Sequence, residues 1–353
     1  MAFDFIATAL DKRRSEGLLR SHNTVNSAAG QMIEIDGQHY INFSSNDYLA
    51  MRRSSLVSQA WIDGISEYGA GSGASPLVTG YTNAHQALEE YLASELKRDK
   101  VLLFNSGFAA NQAICQALFS KGVFSQSHAH NEDVIIADKL MHASFIEGAQ
   151  VSNAKLMRFK HNNTEHLHML LLANGTQKKT NTLVATEGVF SMDGDQAPLY
   201  KLVTMSKQAD AWLMIDDAHG FGTIGENGRG AGDFQGVQAE IDVYFGTFAK
   251  AMATIGAFVA GDEQVIEYLK YNMRSQTFAK SLPMPLVVGA LKRLDMMRTE
   301  PEHKENLWKI ATALQTGLKG AGFDLGVTNS AVTPVFLKGT LDYATNLTQD
   351  LRQ

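Results

Sequence analysis

Short apolar runs alternate with amphipathic stretches through most of the chain. Between about residues 46 and 260 the runs are KVLLFNSG, DVIIADK, AKLMRFKH, NTLVATEG, WLMIDDAHG and VYFGTF, and helical periodicity separates them. Strands separated by helices of this length indicate right-handed crossovers and a mainly parallel sheet. The pattern therefore predicts an α/β fold with helices on both faces of the sheet.

Two further elements are predicted before this region. Residues 1–21 have the spacing of an amphipathic helix, and residues 31–46 alternate like a hairpin that turns at Asp36-Gly37.

Beyond residue 260 the pattern is mainly helical. A long helix is interrupted by prolines in SLPMPLV, a second helix ends near Gly320 or Gly322, SAVTPVFLKG has the character of a strand, and another helix begins at YATNLTQDLRQ. The chain then divides into three predicted parts: an N-terminal helix and hairpin (1–45), a large domain (46–260) and a smaller C-terminal domain (261–353).

Composition narrows the class of protein. The 353 residues are 44% hydrophobic and 19% charged, and the net charge of −6 gives no basic footprint for nucleic acid. No apolar run approaches the roughly 20 residues that span a bilayer, and the N-terminus does not have the pattern of a signal peptide. The single Cys115 is interpreted as a buried structural thiol, and a reducing cytoplasm is expected. The stretch SQSHAHNED is predicted to be a polar surface loop without a metal site.

The most informative residues are Asp216 and Lys250. Asp216 ends one apolar strand, and Lys250 follows the next strand along the chain. Because the carboxyl ends of parallel strands meet at one edge of a sheet, the two side chains are expected to lie close together. A lysine that forms a Schiff base and an acid that keeps a pyridine nitrogen protonated are what pyridoxal 5′-phosphate (PLP) needs.

Other polar residues follow neighbouring strands, and each also has a plainer interpretation. The backbone after Ser106 could cradle a phosphate at a helix N-terminus, and Thr247 could add a hydroxyl or merely cap a helix. His142 could lie over the ring or be a packed histidine, and Asp217 is interpreted as structural. The strand-end candidates are Ser106, Gly107, His142, Glu187, Ser191, Asp216, His219, Thr247 and Lys250.

Motifs along almost the whole chain resemble the α-oxoamine synthase family, a PLP-dependent fold-type I group. They are NFSSNDYL, GSGASPLVTGYTNAHQALEEYLA, FNSGFAANQA, HASFIEGA, FKHNNTEHL, TEGVFSMDGDQAPL, DDAHGFGTIGENGRG and GTFAKA, in the family's order. Residues 1 to about 220 are most similar to the biotin-pathway members, whereas the remainder is more similar to the members that make sphingoid bases.

The resemblance implies a role for each matched residue. Gly107 and Phe108 hold PLP through their backbone, His142 stacks on its ring, and Lys250 carries it. Polar contacts to PLP are implied for Ser106, Glu187, Ser191, Asp216, His219 and Thr247. Thr277, with Ser281, is expected to reach the cofactor of the neighbouring subunit in a homodimer. Substrate contacts are implied for Arg20, Asn46 and Tyr48.

The implied reaction is a decarboxylative condensation of a small amino acid with an acyl thioester of CoA or a carrier protein. The first expectation is L-alanine with a pimeloyl thioester, giving 8-amino-7-oxononanoate, with Lys250, His142 and Asp216 as catalytic residues. The alternatives are a serine-using sphingoid-base synthase, a glycine C-acetyltransferase, and a PLP-binding but inactive homologue. The last is considered because the family's carboxylate-anchoring arginine has no match before Gln353.

Overall fold

The computed structural model describes residues 2–120, 133–174, 180–339 and 341–351. The chain forms two compact units, one of Asn46–Gly339 and the other of Met1–Ser45 with Thr340–Gln353. The domain boundaries expected at residues 45 and 260 stay predictions.

Helices and strands alternate along most of the chain, with α1, β1, β2, β3 and α13 in the smaller unit and the other elements in the larger one. The helices are α1 (Phe5–Ser15), α2 (Ser55–Tyr68), α3 (Asn83–Leu96), α4 (Gly107–Phe119), α5 (Ala143–Val151), α6 (Thr164–Asn174), α7 (Leu199–Gln208), α8 (Ala231–Phe234), α9 (Glu263–Asn272), α10 (Arg274–Phe278), α11 (Met284–Thr299), α12 (Glu302–Gly320) and α13 (Leu341–Asp350), with short helical turns at Met51–Arg53, Pro76–Gly80, Glu226–Gly228 and Gln238–Glu240. The strands are β1 (Val25–Ala29), β2 (Met32–Ile35), β3 (Gln38–Ile41), β4 (Lys100–Phe104), β5 (Val134–Asp138), β6 (Lys155–Phe159), β7 (Thr182–Glu187), β8 (Trp212–Asp216), β9 (Val243–Thr247) and β10 (Ala257–Gly261).

Within the described residues of the larger unit, seven strands form one sheet in the order β4-β10-β9-β8-β7-β5-β6. Strands β6, β5, β7, β8 and β9 pair in parallel, and β10 runs antiparallel between β9 and β4. The predicted α/β fold with a mainly parallel sheet is therefore confirmed. Strand β10 was not predicted.

The sheet is buried on both faces, which explains its uninterrupted apolar runs. On β9, Tyr244 packs into one core cluster while Val243 and Phe245 pack into the other. The first cluster includes residues of α2, α3, α7 and α11, and the second includes residues of α4, α5 and α9. Cys115 lies fully buried in the second cluster, as interpreted from the sequence.

The smaller unit contains the predicted hairpin. Strands β2 and β3 pair antiparallel, and both residues of the two-residue turn between them, Asp36 and Gly37, have positive φ angles of 52° and 78°. That backbone matches the twist of the paired strands, and an Asp-Gly sequence adopts it readily. The predicted helix near the N-terminus is α1, and its residues are exposed.

The strand predicted in SAVTPVFLKG is wrong. Within the described chain this segment is irregular, and only an isolated bridge joins Phe336 to Asp324. Its Pro334 lacks the N–H that a strand ladder requires, which the apolar alternation alone did not reveal.

The predicted helices around this segment are confirmed. Helix α11 restarts after Pro283, α12 ends at Gly320, and α13 follows the irregular segment. The loop predicted for SQSHAHNED, residues 125–133, lies outside the described residues except for Asp133. In the part of the chain that the structure describes, no helix is long and apolar enough to cross a membrane.

Candidate active site

The carboxyl ends of the parallel strands bring two acids together. Glu187 ends β7 and Asp216 ends β8, and the two residues are register partners. Both carboxyl groups are buried, with 3% of Glu187 and 4% of Asp216 exposed. Two acids this close in a buried setting cannot both ionise without cost, so this edge of the sheet is suited to a cationic group.

Asp216 is held by hydrogen bonds on both oxygens. Its Oδ2 accepts from Asn111 Nδ2 at 2.8 Å, and its Oδ1 accepts from the Ala218 backbone N–H at 3.1 Å. Burial raises the pKa of Asp216, while these hydrogen bonds and the nearby His142 and Lys250 act in the opposite direction. The carboxyl group is therefore fixed in orientation, and a facing cation would favour its charged form.

Glu187 has one oxygen without a partner. Its Oε2 accepts from the Ser191 backbone N–H at 3.2 Å, whereas its buried Oε1 has no hydrogen-bond partner in the described chain. Burial and the neighbouring Asp216 raise the pKa of Glu187 well above its usual range. An unpartnered buried carboxyl oxygen is costly unless a ligand satisfies it.

Lys250 begins a chain of hydrogen bonds. Its Nζ lies 2.7 Å from His219 Nε2, His219 Nδ1 lies 2.8 Å from the Tyr48 hydroxyl, and that hydroxyl lies 3.4 Å from Asn46 Oδ1. One arrangement satisfies every group: the lysine donates to Nε2, Nδ1–H donates to Tyr48, and Tyr48 donates to Asn46. These hydrogen bonds join a strand-end lysine to the NFSSNDYL segment, and the substrate contacts expected for Asn46 and Tyr48 stay predictions.

Burial shifts the pKa of each titratable residue in this hydrogen-bond network toward favouring its neutral form. Burial, together with Lys250 and His142, lowers the pKa of His219 to about 3. Burial lowers the pKa of Lys250, although the charges of Asp216 and Glu187 act to raise it. Burial raises the pKa of Tyr48 to about 12. A lysine with a lowered pKa is a better nucleophile and proton acceptor near neutral pH.

His142 is the N-cap of α5 and is exposed on the same side of the sheet. Its Nδ1 accepts from the Ser144 backbone N–H at 3.3 Å and lies 2.7 Å from Ser144 Oγ. Ser144 Oγ in turn accepts from Asn111 Nδ2 at 3.0 Å, so one amide group joins His142 to Asp216. Because Nδ1 is occupied as an acceptor, the neutral ring carries its proton on Nε2, which remains available to donate.

The N-terminus of α4 forms a second part of the site. Ser106 is the N-cap and its Oγ accepts from the Ala109 N–H at 3.2 Å, while Gly107 and Phe108 begin the helix. The first N–H groups of a helix lack partners within it and attract phosphate. A Cβ on Gly107 would lie 3.0 Å from the Phe245 ring, so a side chain there would crowd the sheet.

Thr247 is buried at the end of β9. Its hydroxyl donates to the Gly256 carbonyl at 2.8 Å and accepts from the Ala249 N–H at 3.1 Å. Its predicted phosphate contact stays a prediction, since the hydroxyl already has two partners that shape the turn before Lys250.

Within the larger unit, Thr277 has no hydrogen bond to this cluster in the described chain. Arg20 is exposed in the segment after α1 in the smaller unit, and Thr277 is half-buried on α10. A cavity of about 700 Å³ along β4, α3 and α10 is lined by Ser281 and not by Lys250. Asp217 is structural, as interpreted: its Oδ2 accepts from the Ala231 N–H at 2.7 Å and the Tyr244 hydroxyl at 2.8 Å.

Sequence reasoning missed Asn111. It lies on α4 among Ala110, Ala113 and Ile114, all buried, and is itself 1% exposed. A lone amide on an apolar helix face is the one signal that could have identified it, because a buried amide requires hydrogen-bond partners.

The residues present fit PLP. Buried carboxyl groups suit a protonated pyridine nitrogen, the α4 N-terminus suits a phosphate, and a lysine with a lowered pKa suits covalent attachment. A protein-family profile described as aminotransferase class I and II matches residues 38–353.

Known proteins agree with this interpretation. The chain is 43% identical to a cysteate-C-fatty acyltransferase of Capnocytophaga ochracea, over 92% of this chain and 76% of the relative. It is 38% identical to an 8-amino-7-oxononanoate synthase of Aeromonas hydrophila subsp. hydrophila, over 99% of this chain and 83% of the relative. A serine palmitoyltransferase structure from S. paucimobilis with bound PLP and myriocin superimposes with a TM-score of 0.89 at 31% identity, covering 99% of this chain and 88% of that one.

The fold and site define a PLP-dependent transferase. Within that class the chain belongs to the α-oxoamine synthase family, and it is an acyltransferase that forms a carbon–carbon bond. The expectations of family, fold, enzyme class and cofactor are confirmed, whereas the individual residue roles stay predictions.

Proposed function

We propose that this enzyme condenses a small L-amino acid with an acyl thioester and releases CO₂. The observation that carries the proposal is Lys250, whose Nζ lies 2.7 Å from His219 Nε2 and whose pKa is lowered by burial despite two buried acids nearby. When bound, PLP supplies an electron-accepting ring that stabilises negative charge on the α-carbon of the amino acid.

In this proposal, three groups of residues would hold PLP. The first N–H groups of α4, at Gly107 and Phe108, would bind the phosphate, and Asp216 would pair with the protonated pyridine nitrogen. His219 and Ser191 would supply polar contacts to the ring. The fixed hydrogen bonds from Asn111 and Ala218 to Asp216 support this role, because they keep its carboxylate oriented when the cofactor arrives.

The proton transfers are assigned to two side chains. Lys250 Nζ takes the α-proton of the amino acid, and its lowered pKa supports that role. His142 donates through Nε2 to the oxygen that becomes negative when the thioester carbonyl is attacked, since its Nδ1 is held as an acceptor by Ser144.

Removal of the Tyr48 hydroxyl is expected to weaken this site modestly. Tyr48→Phe takes away the partner of His219 Nδ1, a contact worth about 1 kcal/mol, so the PLP dissociation constant should rise roughly three- to tenfold. A fluorescence titration of the apoenzyme with PLP measures it. Tyr200→Phe, an exposed tyrosine on α7, is the matched control. An unchanged dissociation constant in Tyr48→Phe would show that the contact does not bear on PLP.

The identity of the amino acid separates the candidate functions. The first candidate remains L-alanine with a pimeloyl thioester, which the 8-amino-7-oxononanoate synthase relatives support. L-cysteate with a fatty acyl thioester is the second candidate, favoured by the 43% identity to the Capnocytophaga enzyme. Serine and glycine follow, the former because of the serine palmitoyltransferase fold neighbours.

Absorbance of the PLP-loaded enzyme distinguishes these candidates. L-alanine, L-cysteate, L-serine and glycine are added in turn, and we expect alanine to shift the visible band at the lowest concentration. Product formation with pimeloyl- and palmitoyl-CoA then identifies the acyl donor. A shift with cysteate or serine alone would transfer the proposal to that substrate. A loaded enzyme that no amino acid perturbs would support the inactive alternative.

We also propose a homodimer in which Thr277 and Ser281 approach the partner's site. Family resemblance supports this assembly.

A further inference from the structure

The loop after β6 holds a histidine with a carboxylate on each ring nitrogen. His161 Nδ1 lies 3.0 Å from Asp138 Oδ1, and Nε2 lies 2.9 Å from Asp195 Oδ2. A neutral imidazole has only one N–H, so two carboxylates are both satisfied only by the imidazolium form. The rings of Phe190 and His161 pack edge to face with their centroids 4.5 Å apart, and this contact restricts rotation of the histidine ring.

The first carboxylate fixes the turn that leads to His142. Asp138 is the last residue of β5 and is fully buried. Besides His161, it accepts from the Leu140 N–H at 2.8 Å and from the Asn162 N–H at 2.8 Å. The short connection from Asp138 to His142 is thereby held to the loop after β6.

The second carboxylate fixes the turn that carries Ser191. Asp195 Oδ2 also accepts from Asn162 Nδ2 at 2.7 Å, and the Asp195 carbonyl accepts from the Phe190 N–H at 2.9 Å. Ser191 lies inside this turn, and its N–H donates to Glu187. The same histidine therefore contacts the supports of two different site loops.

We infer that His161 is a positioning residue, whose imidazolium ties the loop of His142 to the loop of Ser191 and preorganises both for PLP. It acts through Asp138 and Asp195 and is not assigned a contact with substrate or cofactor. The inference rests on the proposed function for the roles of His142 and Ser191, but its consequences are measurable without turnover.

The electrostatics of His161 agree with this geometry. Burial disfavours its charge, but Asp138 and Asp195 outweigh burial and raise the pKa of His161 to about 10. These are the charged groups that face the ring in the described chain; Arg158 donates to the Asp138 carbonyl at 3.2 Å. Because the folded pKa lies above the ordinary 6.5, the stability that the charged ring contributes is fully present below about pH 6.5 and is lost as the pH rises through about 10, where the folded imidazolium loses its proton.

The test compares His161→Gln with His168→Gln, an exposed histidine on α6 that serves as the matched control. PLP dissociation constants are measured by fluorescence at about pH 7.5 and about pH 10, well below the melting temperature. We expect PLP to bind roughly tenfold more weakly to His161→Gln than to wild type at the lower pH. The ratio should fall to about half its value at the higher pH, where about half of wild-type His161 has lost its proton. Hydrogen exchange of the apoenzyme should increase in residues 139–143 and 188–196. The control should match wild type.

A dissociation constant within twofold of wild type at the lower pH would overturn the inference, whatever the change in melting temperature. An equal loss of affinity at both pH values would also overturn it, because the charge would then be irrelevant. Asp195→Asn, which keeps a polar group but removes one carboxylate, supplies the same test if His161→Gln does not fold; we expect roughly threefold weaker binding at the lower pH. If the pH-dependent pattern appears but no amino acid is condensed, the proposed function fails while this inference stands.

Discussion

Replacement of Lys250 by alanine is expected to abolish condensation, lowering kcat/KM by at least about a thousandfold. The substitution removes both the covalent attachment point for PLP and the amine assigned to take the α-proton. Because Lys250 is partly buried with a lowered pKa, its loss is not expected to unfold the protein. Activity, thermal melting and the mass of the borohydride-reduced protein are the three measurements.

Wild-type protein should gain the mass of reduced PLP on the peptide that contains Lys250, and the variant should gain none there. Lys201→Ala, an exposed lysine on α7, is the matched control and should retain both the adduct and activity. An undiminished PLP adduct in Lys250→Ala would place the attachment on another lysine and refute the assignment.

The strand-end residues were predictable because sheet geometry constrains them strongly. Apolar runs buried on both faces identify parallel strands, and parallel strands place their carboxyl ends on one edge. The sequence therefore predicts that Asp216, Glu187 and His142 lie near Lys250. The Asp36-Gly37 hairpin was predictable for a local reason, since its two turn residues favour positive φ.

The supporting contacts were not predictable in the same way. Asn111 and His161 act through partners that are distant in sequence: Asn111 meets Asp216 across 105 positions, and His161 meets Asp195 across 34. Hydrophobic periodicity does not identify polar residues whose partners are set by tertiary packing. FKHNNTEHL was recognised only as a family motif, and its physical role emerges from the two carboxylates that flank His161.

Strand β1, like β10, was not predicted, and the departures at β10 and at residues 330–339 have different causes. Strand β10 follows a turn of small residues without the polar boundary that marked the other strands, and it returns antiparallel between β4 and β9. The segment 330–339 has the alternation of a strand but, within the described chain, pairs only at Phe336. A strand forms only where it can pair and pack with neighbouring strands, so the local sequence pattern alone predicts too many strands.

Substitution of Asp216 by asparagine is expected to separate stability from function. Burial raises the pKa of Asp216, so in the apoenzyme its charged form is disfavoured, and stability due to this group falls as the pH rises from its unfolded pKa through its raised folded pKa. The neutral asparagine avoids that cost but can accept only one of the two hydrogen bonds, so the apo variant should melt close to the wild-type temperature at neutral pH. Condensation should fall by about a hundredfold or more, because the charge that pairs with the pyridine nitrogen is lost.

Asp217→Asn is the matched control for this contrast between stability and activity. Asp217 is adjacent to Asp216 and is also buried, and the substitution is isosteric. Burial raises the pKa of Asp217 to about 7, and its carboxylate accepts from Ala231 and Tyr244 rather than facing the proposed cofactor. Its substitution should change the melting temperature while leaving the PLP dissociation constant within about threefold of wild type. Equal losses of PLP affinity in the two variants would mean that the end of β8 acts through packing. A loss confined to Asp216→Asn would instead assign the effect to the charge, because both substitutions change one oxygen to one nitrogen in neighbouring buried positions.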